Sequence, residues 1–483
     1  MQNESYYSVS RAARGIDAPQ LFSDIDREHG FEAIAEIEGR LPKDLVGSLY
    51  RNGPGSFSVG PHRVEHMFDG DGAVRAFRLP GDGTASAAIK FIDTPGRLKE
   101  LAAKSPLYVG YGTHIPNWWR RLGGRPKNVA NTNLLMFGED LLALWEGGLP
   151  IAMSPKDLST RGETDLGGVI PSAFSAHQHR VAAHKCTYNF GVRVGRNPAL
   201  DLFKLPDEGR AEHLTTISLP YNTMNHDFIV SEKYAVFFRA PLKMRHWRQI
   251  FGRASVADNF VWCEDEGTEV IIVPLAKPKE CIRFQVPAFW QWHFVNAYDD
   301  GDEIVVDFVR NDDFRSDKWL KDLFALKESD IHSPGLYSRA RINPHTQSFK
   351  CDTVTSVPVE FPKVSPLLEG SRHQYAYTVA HADAASMRYG LQPLLAKYDL
   401  ESKTSEVFSV GTRRIPSEPL FIPRTNSQAE DDGYILSVFY DIDRNQSGLA
   451  VLDAQNPGSG TLATVWYAGR MPVTFHGCWV DAR

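Results

Sequence analysis

LVGSLYRNGPG (residues 45–55), followed by HRVEHMFDGDGAVRAFRLPGDGTASAAIKFIDT (residues 62–94), decides the fold. Short apolar or alternating runs are broken by Gly, Asp and Pro at intervals too short for helices, so the segment reads as consecutive β-hairpins. Asp69-Gly70-Asp71-Gly72 is expected to supply the positive-φ residues of a tight turn. The theme recurs in LLALWEGG (141–148), HDFIVSEKYAVFFRA (226–240), TEVIIVPLA (268–276), DEIVVDFVR (302–310) and GYILSVFYDIDRNQSGLAVLDA (433–454). Helical periodicity is scarce, and its best candidates lie near residues 95–105, 243–252 and 316–328. So many short strands predict an all-β sandwich, barrel or propeller.

A chain of 483 residues exceeds the ~250–300 residues at which a single core stops growing. Repeat architectures escape that limit because each unit packs mainly on its neighbours. No strict repeat or WD40 signature is present, although seven blades would average 69 residues, close to the 67 that separate His226 from His293. No Pro/Gly/Ser-rich linker divides the chain, so residues 1–483 are read as one domain. A hydrophobic share of 42% and a net charge of −6 describe an ordinary globular protein and argue against a nucleic-acid partner. No secretory leader and no bilayer-spanning apolar run is visible. Five scattered cysteines without CxxC fit a reduced, cytoplasmic protein whose thiols are mostly buried.

Four histidines carry the chemistry: His177 in FSAHQH, His226 in TMNHDFIV, His293 in WQWHFVNAY and His476 in VTFHGCWV. Each lies in an apolar or aromatic stretch, and imidazole is the commonest metal ligand. Separations of 49, 67 and 183 residues exclude a local zinc-finger spacing. The four rings can meet only if the fold returns each segment to a common axis, as the inner strands of a propeller do. An all-imidazole set suits Fe, Cu, Ni or Zn. A ligating histidine usually donates its other N–H to a carboxylate or carbonyl. Glu146, Glu360 and Glu418 each stand among apolar residues and are candidates for that role. An internal ion pair, for example with Arg424, is the alternative.

No GxxxxGK[ST], GxGxxG after a strand, HExxH or GxSxG occurs. His381-Ala382-Asp383 with His476 downstream offers a competing two-His-one-carboxylate iron site. Leu107, Tyr108, Tyr111, Ile115, Trp118 and Trp119 precede Arg120 and Arg121, and residues 242–251 mix the same ingredients. That composition suits an interfacial membrane contact as well as core aromatics beside a basic face.

Taken in order, GSLYRNGPG, HMFDGDGAV, KNVANTN, LLALWEGG, AFSAH, HDF, HFVNAYDDGDEIVVD, VEFP, EPLFIPR, GYILSVFYD and FHGCWV resemble the carotenoid cleavage oxygenase family along nearly the whole chain. The bacterial and cyanobacterial apocarotenoid oxygenases look most alike. The resemblance implies a seven-bladed β-propeller, with a few short helices and loops capping the iron-bearing face. It implies one Fe(II) per chain held by His177, His226, His293 and His476, with Glu146, Glu360 and Glu418 as outer carboxylates. Three ionised glutamates against a divalent iron leave a sum of −1, and four ligands leave up to two positions for O2 or water. The HxD pair matches no ligand motif of the family. His179 shares the strand parity of His177 and stands where the family commonly has proline one residue earlier (Gln178), so it competes with His177, which keeps the motif position.

The implied reaction is cleavage of one conjugated C=C bond by O2 into two carbonyls, without flavin, nicotinamide or 2-oxoglutarate. Thr132 and Trp145 are placed near the iron on a substrate tunnel. Stilbene-cleaving relatives tend to carry lysine where this chain has Trp145, which favours an apocarotenoid and retinal-like products. A stilbene cleaver, a non-catalytic carotenoid-binding propeller and a retinyl-ester isomerohydrolase are the alternatives. Such a substrate partitions into membranes, so Trp118, Trp119 and Phe251 are expected to form a peripheral membrane patch. No protein partner is implied.

Overall fold

The structure, a computed structural model, describes residues 8–9, 12–114, 126–245, 255–330 and 333–482. Antiparallel strands dominate, joined by short turns. Two α-helices occur among the described residues, α1 (Pro95–Ala103) and α2 (Ser316–Phe324). Thr94 begins α1, its hydroxyl accepting from the Arg97 N–H, with proline in the first turn. Trp319, Leu323 and Phe324 form the buried face of α2. Of the helix expected over 243–252, Lys243 and Met244 belong instead to the strand Leu242–Met244, paired with Phe260–Trp262, and residues 246–252 lie outside the described part.

Most strands belong to antiparallel meanders. The first sheet runs His29–Ala33, Ser86–Phe91, Asp71–Leu79, Gly47–Ser56 and then Gly477–Asp481, from the far end of the chain. Three four-stranded sheets follow, within residues 133–163, 179–218 and 229–286. Next comes a seven-stranded path from Trp290–Asp300 to Thr404–Phe408, in which Ser348–Lys363 pairs on one side with Leu336–Asn343 and on the other with Tyr375–Ala380. In the last sheet Gly433–Asp441, Gln446–Asp453 and Thr461–Trp466 are joined by Glu36–Gly39, from near the start. Both ends of the chain are thus tied into sheets built by the other end.

Apolar clusters sit between successive sheets. Phe237 and Ile271 pack with Phe190 and Leu202, whereas the alternate residues Val236, Phe238 and Ile272 pack with Ile304, Val306 and Phe308. Burial on both faces explains why these strands read as continuous apolar runs rather than strict alternation. Further clusters join the first sheet to the second and to the last. The Asp-Gly-Asp-Gly turn is a correction. Gly70 has φ −67°, and Gly72 lies inside Asp71–Leu79. The turn comes later, with Gly81 and Gly83 at φ 83° and 88°. Gly72 is required by close approach, since a Cβ there would meet the Ala130 carbonyl oxygen at 2.5 Å. Asp69 instead accepts from the Gly112 N–H and the Thr113 hydroxyl. Of the five free cysteines only Cys186 is buried and the other four are half-buried.

One buried cluster fixes strands that matter below. Asp227 accepts from the Phe228 and Phe294 N–H groups, both at 2.8 Å, and from His179 Nε2 at 3.0 Å, while His179 Nδ1 meets Glu369 at 3.0 Å. Burial opposes the His179 charge, but Asp227 and Glu369 outweigh it and raise its pKa to about 9. A raised imidazole pKa gives stability that is complete below the unfolded value near 6.5 and is lost as pH rises through 9. Urea unfolding should therefore show a loss of about 3 kcal/mol between pH 6.5 and 9, and His179→Gln should abolish that pH-dependent component. An equal slope in the variant would remove this role from His179.

Candidate metal centre

The four motif histidines reach one place because each sits on, or just before, an edge strand of its sheet. His177 precedes His179–Val181, His226 precedes Ile229–Val230, His293 lies in Trp290–Asp300 and His476 precedes Gly477–Asp481. All four are buried. The ring centroids of His177 lie 4.3, 5.1 and 4.8 Å from those of His226, His293 and His476. Nε2 of His293 is 3.4 Å from Nε2 of His226 and 3.2 Å from that of His476. The Nε2 of His177 is buried without a hydrogen-bond partner.

The opposite ring nitrogens face carboxylates. His293 Nδ1 lies 2.5 Å from Glu360 and His476 Nδ1 2.7 Å from Glu418, and His226 Nδ1 meets Glu146. An ionised carboxylate can only accept, so it fixes the proton on Nδ1 and leaves a lone pair on Nε2. Lone pairs turned on one another at 3.2–3.4 Å repel, and a cation among them would relieve that repulsion. The donor set therefore fits a metal ion. Ligand atoms of His177, His293 and His476 all lie within 4.8 Å of one another, as do those of Glu146, His177 and His226.

Electrostatics favours the neutral ring at His177 and at His476. Burial, and then the neighbouring imidazoles, hold the His177 pKa far below its ordinary value, and burial lowers that of His476 to about 3. For His226 burial acts the same way, but Glu146 outweighs it and the pKa is raised. Burial resists ionisation of Glu418, yet Lys363, His476 and Arg51 hold its carboxyl well below the usual range.

Arg51 and Lys363 were not singled out by sequence. The Arg51 guanidinium meets Glu418 and donates to the Phe475 carbonyl at 2.5 Å, and Lys363 lies 3.1 Å from Glu418. Glu418 thus serves a histidine and an internal ion pair together, while Arg424 pairs with Asp432 and Asp453. The two cations turn the charge sum reckoned with a divalent metal from −1 to +1. Asn52 exchanges backbone hydrogen bonds with Phe475 and His476 at 2.8 Å, which accounts for the RNGPG motif. The register shifts between Glu360 and Lys363, and Phe361 there has φ 51°. This strained bulge coincides with the turn of Glu360 towards His293, and the Phe361 ring stacks on that imidazole at 5.3 Å. His179 is held by Asp227 and Glu369, outside the cluster. Asp383 accepts from the Ser386 N–H and does not join His476.

A cavity of about 1000 Å3 opens beside His226, His293 and His476. Thr132 and Trp145 both line it, with Trp292, Phe361 and Phe475, and the Thr132 carbonyl accepts from the His476 N–H at 3.1 Å. Trp118, Trp119 and Phe251 lie outside the described residues.

Comparison with known proteins points the same way. The family profile described as Retinal pigment epithelial membrane protein (RPE65) matches residues 22–481. The chain is 32% identical over 470 residues to apocarotenoid-15,15'-oxygenase of Synechocystis sp., covering 93% of each chain. It is 27% identical to resveratrol cleavage oxygenase 1 of Aspergillus fumigatus, covering 97% of this chain and 96% of that one. A mutant of Synechocystis apocarotenoid oxygenase (ACO) superposes with a TM-score of 0.91 at 30% identity, covering 98% of this chain and 100% of the other. Cobalt-substituted Synechocystis ACO gives a TM-score of 0.89 with the same identity and coverage. By profile match, identity and fold, the chain belongs to the retinal pigment epithelial membrane protein (RPE65)/carotenoid oxygenase family.

Proposed function

We propose that the protein is a non-haem Fe(II) dioxygenase that uses O2 to cleave one conjugated C=C bond of an apocarotenoid, giving two carbonyl products of which one is retinal-like. The observation that carries this reading is the convergence of four buried imidazoles, three of which border a large, mainly apolar cavity. His177, His226, His293 and His476 would hold the iron, and Glu146, Glu360 and Glu418 would fix the tautomers of the last three. A seven-bladed propeller around that axis is supported by the apolar clusters that join each sheet to the next and the last to the first. In that count the seven-stranded path contributes two blades through its shared strand Ser348–Lys363.

When bound, the iron supplies the redox chemistry with O2. The chain's own tasks are to position the polyene and exclude water. Trp292 packs edge-on to His226 at 4.9 Å, and Phe361 covers His293 and His476, so apolar rings border the histidines. Thr132 and Trp145 border the same space and would touch the substrate. No acid–base pair is required of the protein. Trp145 beside Glu146 supplies no cation for a phenol, which favours a polyene over a stilbene.

No helix among the described residues is long and apolar enough to cross a membrane. Leu98 and Leu101 of α1 are 49% and 48% exposed, while Pro95 and Gly96 of the same helix line the cavity. An apolar helix face at the mouth of a substrate cavity supports peripheral attachment to a lipid surface, with Trp118, Trp119 and Phe251 as further contributors.

Aerobic incubation of the iron-loaded protein with apocarotenals, carotenes and stilbenes should bleach an apocarotenal spectrum and release aldehydes in an O2-dependent manner. Binding without bleaching would favour a carrier, and O2-independent conversion of a retinyl ester an isomerohydrolase. His226→Ala should stay folded by circular dichroism yet lose iron, and full occupancy by metal analysis would remove it as a ligand. Glu360→Gln should weaken iron binding or turnover by roughly 10–100-fold. Leu98→Asp with Leu101→Asp should lower liposome co-sedimentation, and with it the rate on liposome-delivered relative to detergent-dispersed substrate. Unaltered co-sedimentation would remove α1 from the membrane contact.

A further inference from the structure

His381, the histidine of the HxD motif, has a role that the metal cluster does not absorb. Its side chain is 1% exposed, and neither ring nitrogen has a hydrogen-bond partner. A buried imidazole left unpaired at both nitrogens is costly, on the order of 1–3 kcal/mol for each group, and such groups call for an explanation. The ring lies on the same cavity as the metal cluster.

Its place follows from register. Val379 pairs with Glu360 and Ala380 with Val359, and the His381 N–H donates to the Pro358 carbonyl at 3.0 Å. His381 therefore stands two residues, about 7 Å by strand rise, further along than the level of Glu360. Across Gly335 from it lies Asn311, which also lines the cavity. The Val359 N–H donates to the Gly335 carbonyl at 2.9 Å, and a Cβ on Gly335 would come within 3.6 Å of Asn311 Nδ2. Asn311 Nδ2 donates to the Ser333 carbonyl at 3.0 Å, while its buried Oδ1 has no partner. Trp319 already donates its indole N–H to the Met387 carbonyl at 2.9 Å, and Met387 and Leu391 are apolar.

We propose that His381 and Asn311 form a polar subsite that binds a hydroxyl group of the substrate at an end remote from the scissile bond. This rests on the reading of the cavity as an apocarotenoid site. The hydroxyl is chosen by donor count. A neutral imidazole has one donor and one acceptor nitrogen, and Asn311 Oδ1 adds a second acceptor. An alcohol both donates and accepts, so it satisfies one acceptor and the donor, whereas a ketone leaves both acceptors empty. Burial alone lowers the His381 pKa to about 3, so the ring is neutral at ordinary pH and suits an uncharged group.

The test uses the iron-loaded full chain and three apocarotenals of equal length whose ring carries hydrogen, hydroxyl or keto oxygen. The wild-type kcat/KM should favour the hydroxylated compound by about tenfold or more, and His381→Leu should bring the ratio to within about twofold. Replacing an unpaired buried group by an apolar one should leave Tm unchanged or raised, and a collapse of Tm would assign His381 a structural role instead. A ratio unaltered in the variant, or a preference for the ketone, would overturn the subsite. Binding to metal-free protein, read by quenching of tryptophan fluorescence, provides the second measurement, with Asn311→Leu as the second variant. Hydroxyl-selective binding lost in both variants supports the subsite even if no compound is cleaved, a result that would count against the proposed reaction alone. Binding without selectivity overturns the subsite whatever is cleaved.

Discussion

The structure depends on one repeated contact, an imidazole Nδ1 facing a buried or half-buried carboxylate. That contact removes the freedom of the ring. Without it a neutral histidine exchanges its proton between two nitrogens, and a cluster of four would satisfy itself by donating ring to ring. With Glu146, Glu360 and Glu418 in place, three rings turn their lone pairs inward, and His177 adds a fourth nitrogen with no partner. The centre of the cluster then accumulates negative potential in a setting of low polarity, where such a field is strong. A cation is the natural counterweight. Arg51 and Lys363 keep Glu418 ionised without entering the cluster, so the carboxylate retains its grip on His476 while that ring stays neutral.

Holding this arrangement requires backbone precision that loops alone would not provide. Each histidine is on or directly beside an edge strand, and the strands are tied laterally. Asp227 illustrates how. One residue from His226, it accepts the N–H of Phe294, one residue from His293, and is in turn held by His179, two residues from His177. A single carboxylate thus links three of the four motifs, two through backbone N–H groups and one through the His179 ring. The bulge at Phe361 serves the remaining carboxylate, spending a left-handed backbone angle to bring Glu360 onto His293. Asn52 fixes His476 through the main chain.

Much of this was legible in the sequence, and the failures are instructive. Runs such as TEVIIVPLA read as strands because both faces are buried, and the four apolar-flanked histidines announced themselves. Arg51 did not, because its partner Glu418 lies 367 residues away and a single sequence carries no signal for such a pairing. The Asp-Gly-Asp-Gly stretch looked like a turn. Its second glycine is there for contact with Ala130 and its first aspartate for a loop 42 to 44 residues on, and composition cannot separate these uses from a positive φ. Lys243 and Met244 were placed at the start of a helix because a three-residue strand is too short to show a period of its own. Parity allowed His179 to compete with His177, but the strand begins only at His179, so the alternation invoked does not reach back to the ligand motif.

A long polyene in an apolar cavity poses a problem that burial does not solve. Apolar contact stabilises in proportion to area, and a conjugated chain presents nearly the same surface when it slides by one double bond. Affinity is then shared among several registers, while the reaction demands one. Walls such as Trp292 and Phe361 can orient the plane of the chain, yet they distinguish neighbouring bonds weakly. Register has to be set by something that does not repeat: a closed end, a bulky ring, or a polar group with a fixed partner. In a cavity where Glu146 and Glu360 are already committed to imidazoles, polar atoms left without partners are the places where such a partner can be held. On the proposed reading, the geometry around the metal decides which bond is broken only after an interaction some way down the cavity has decided which bond is presented.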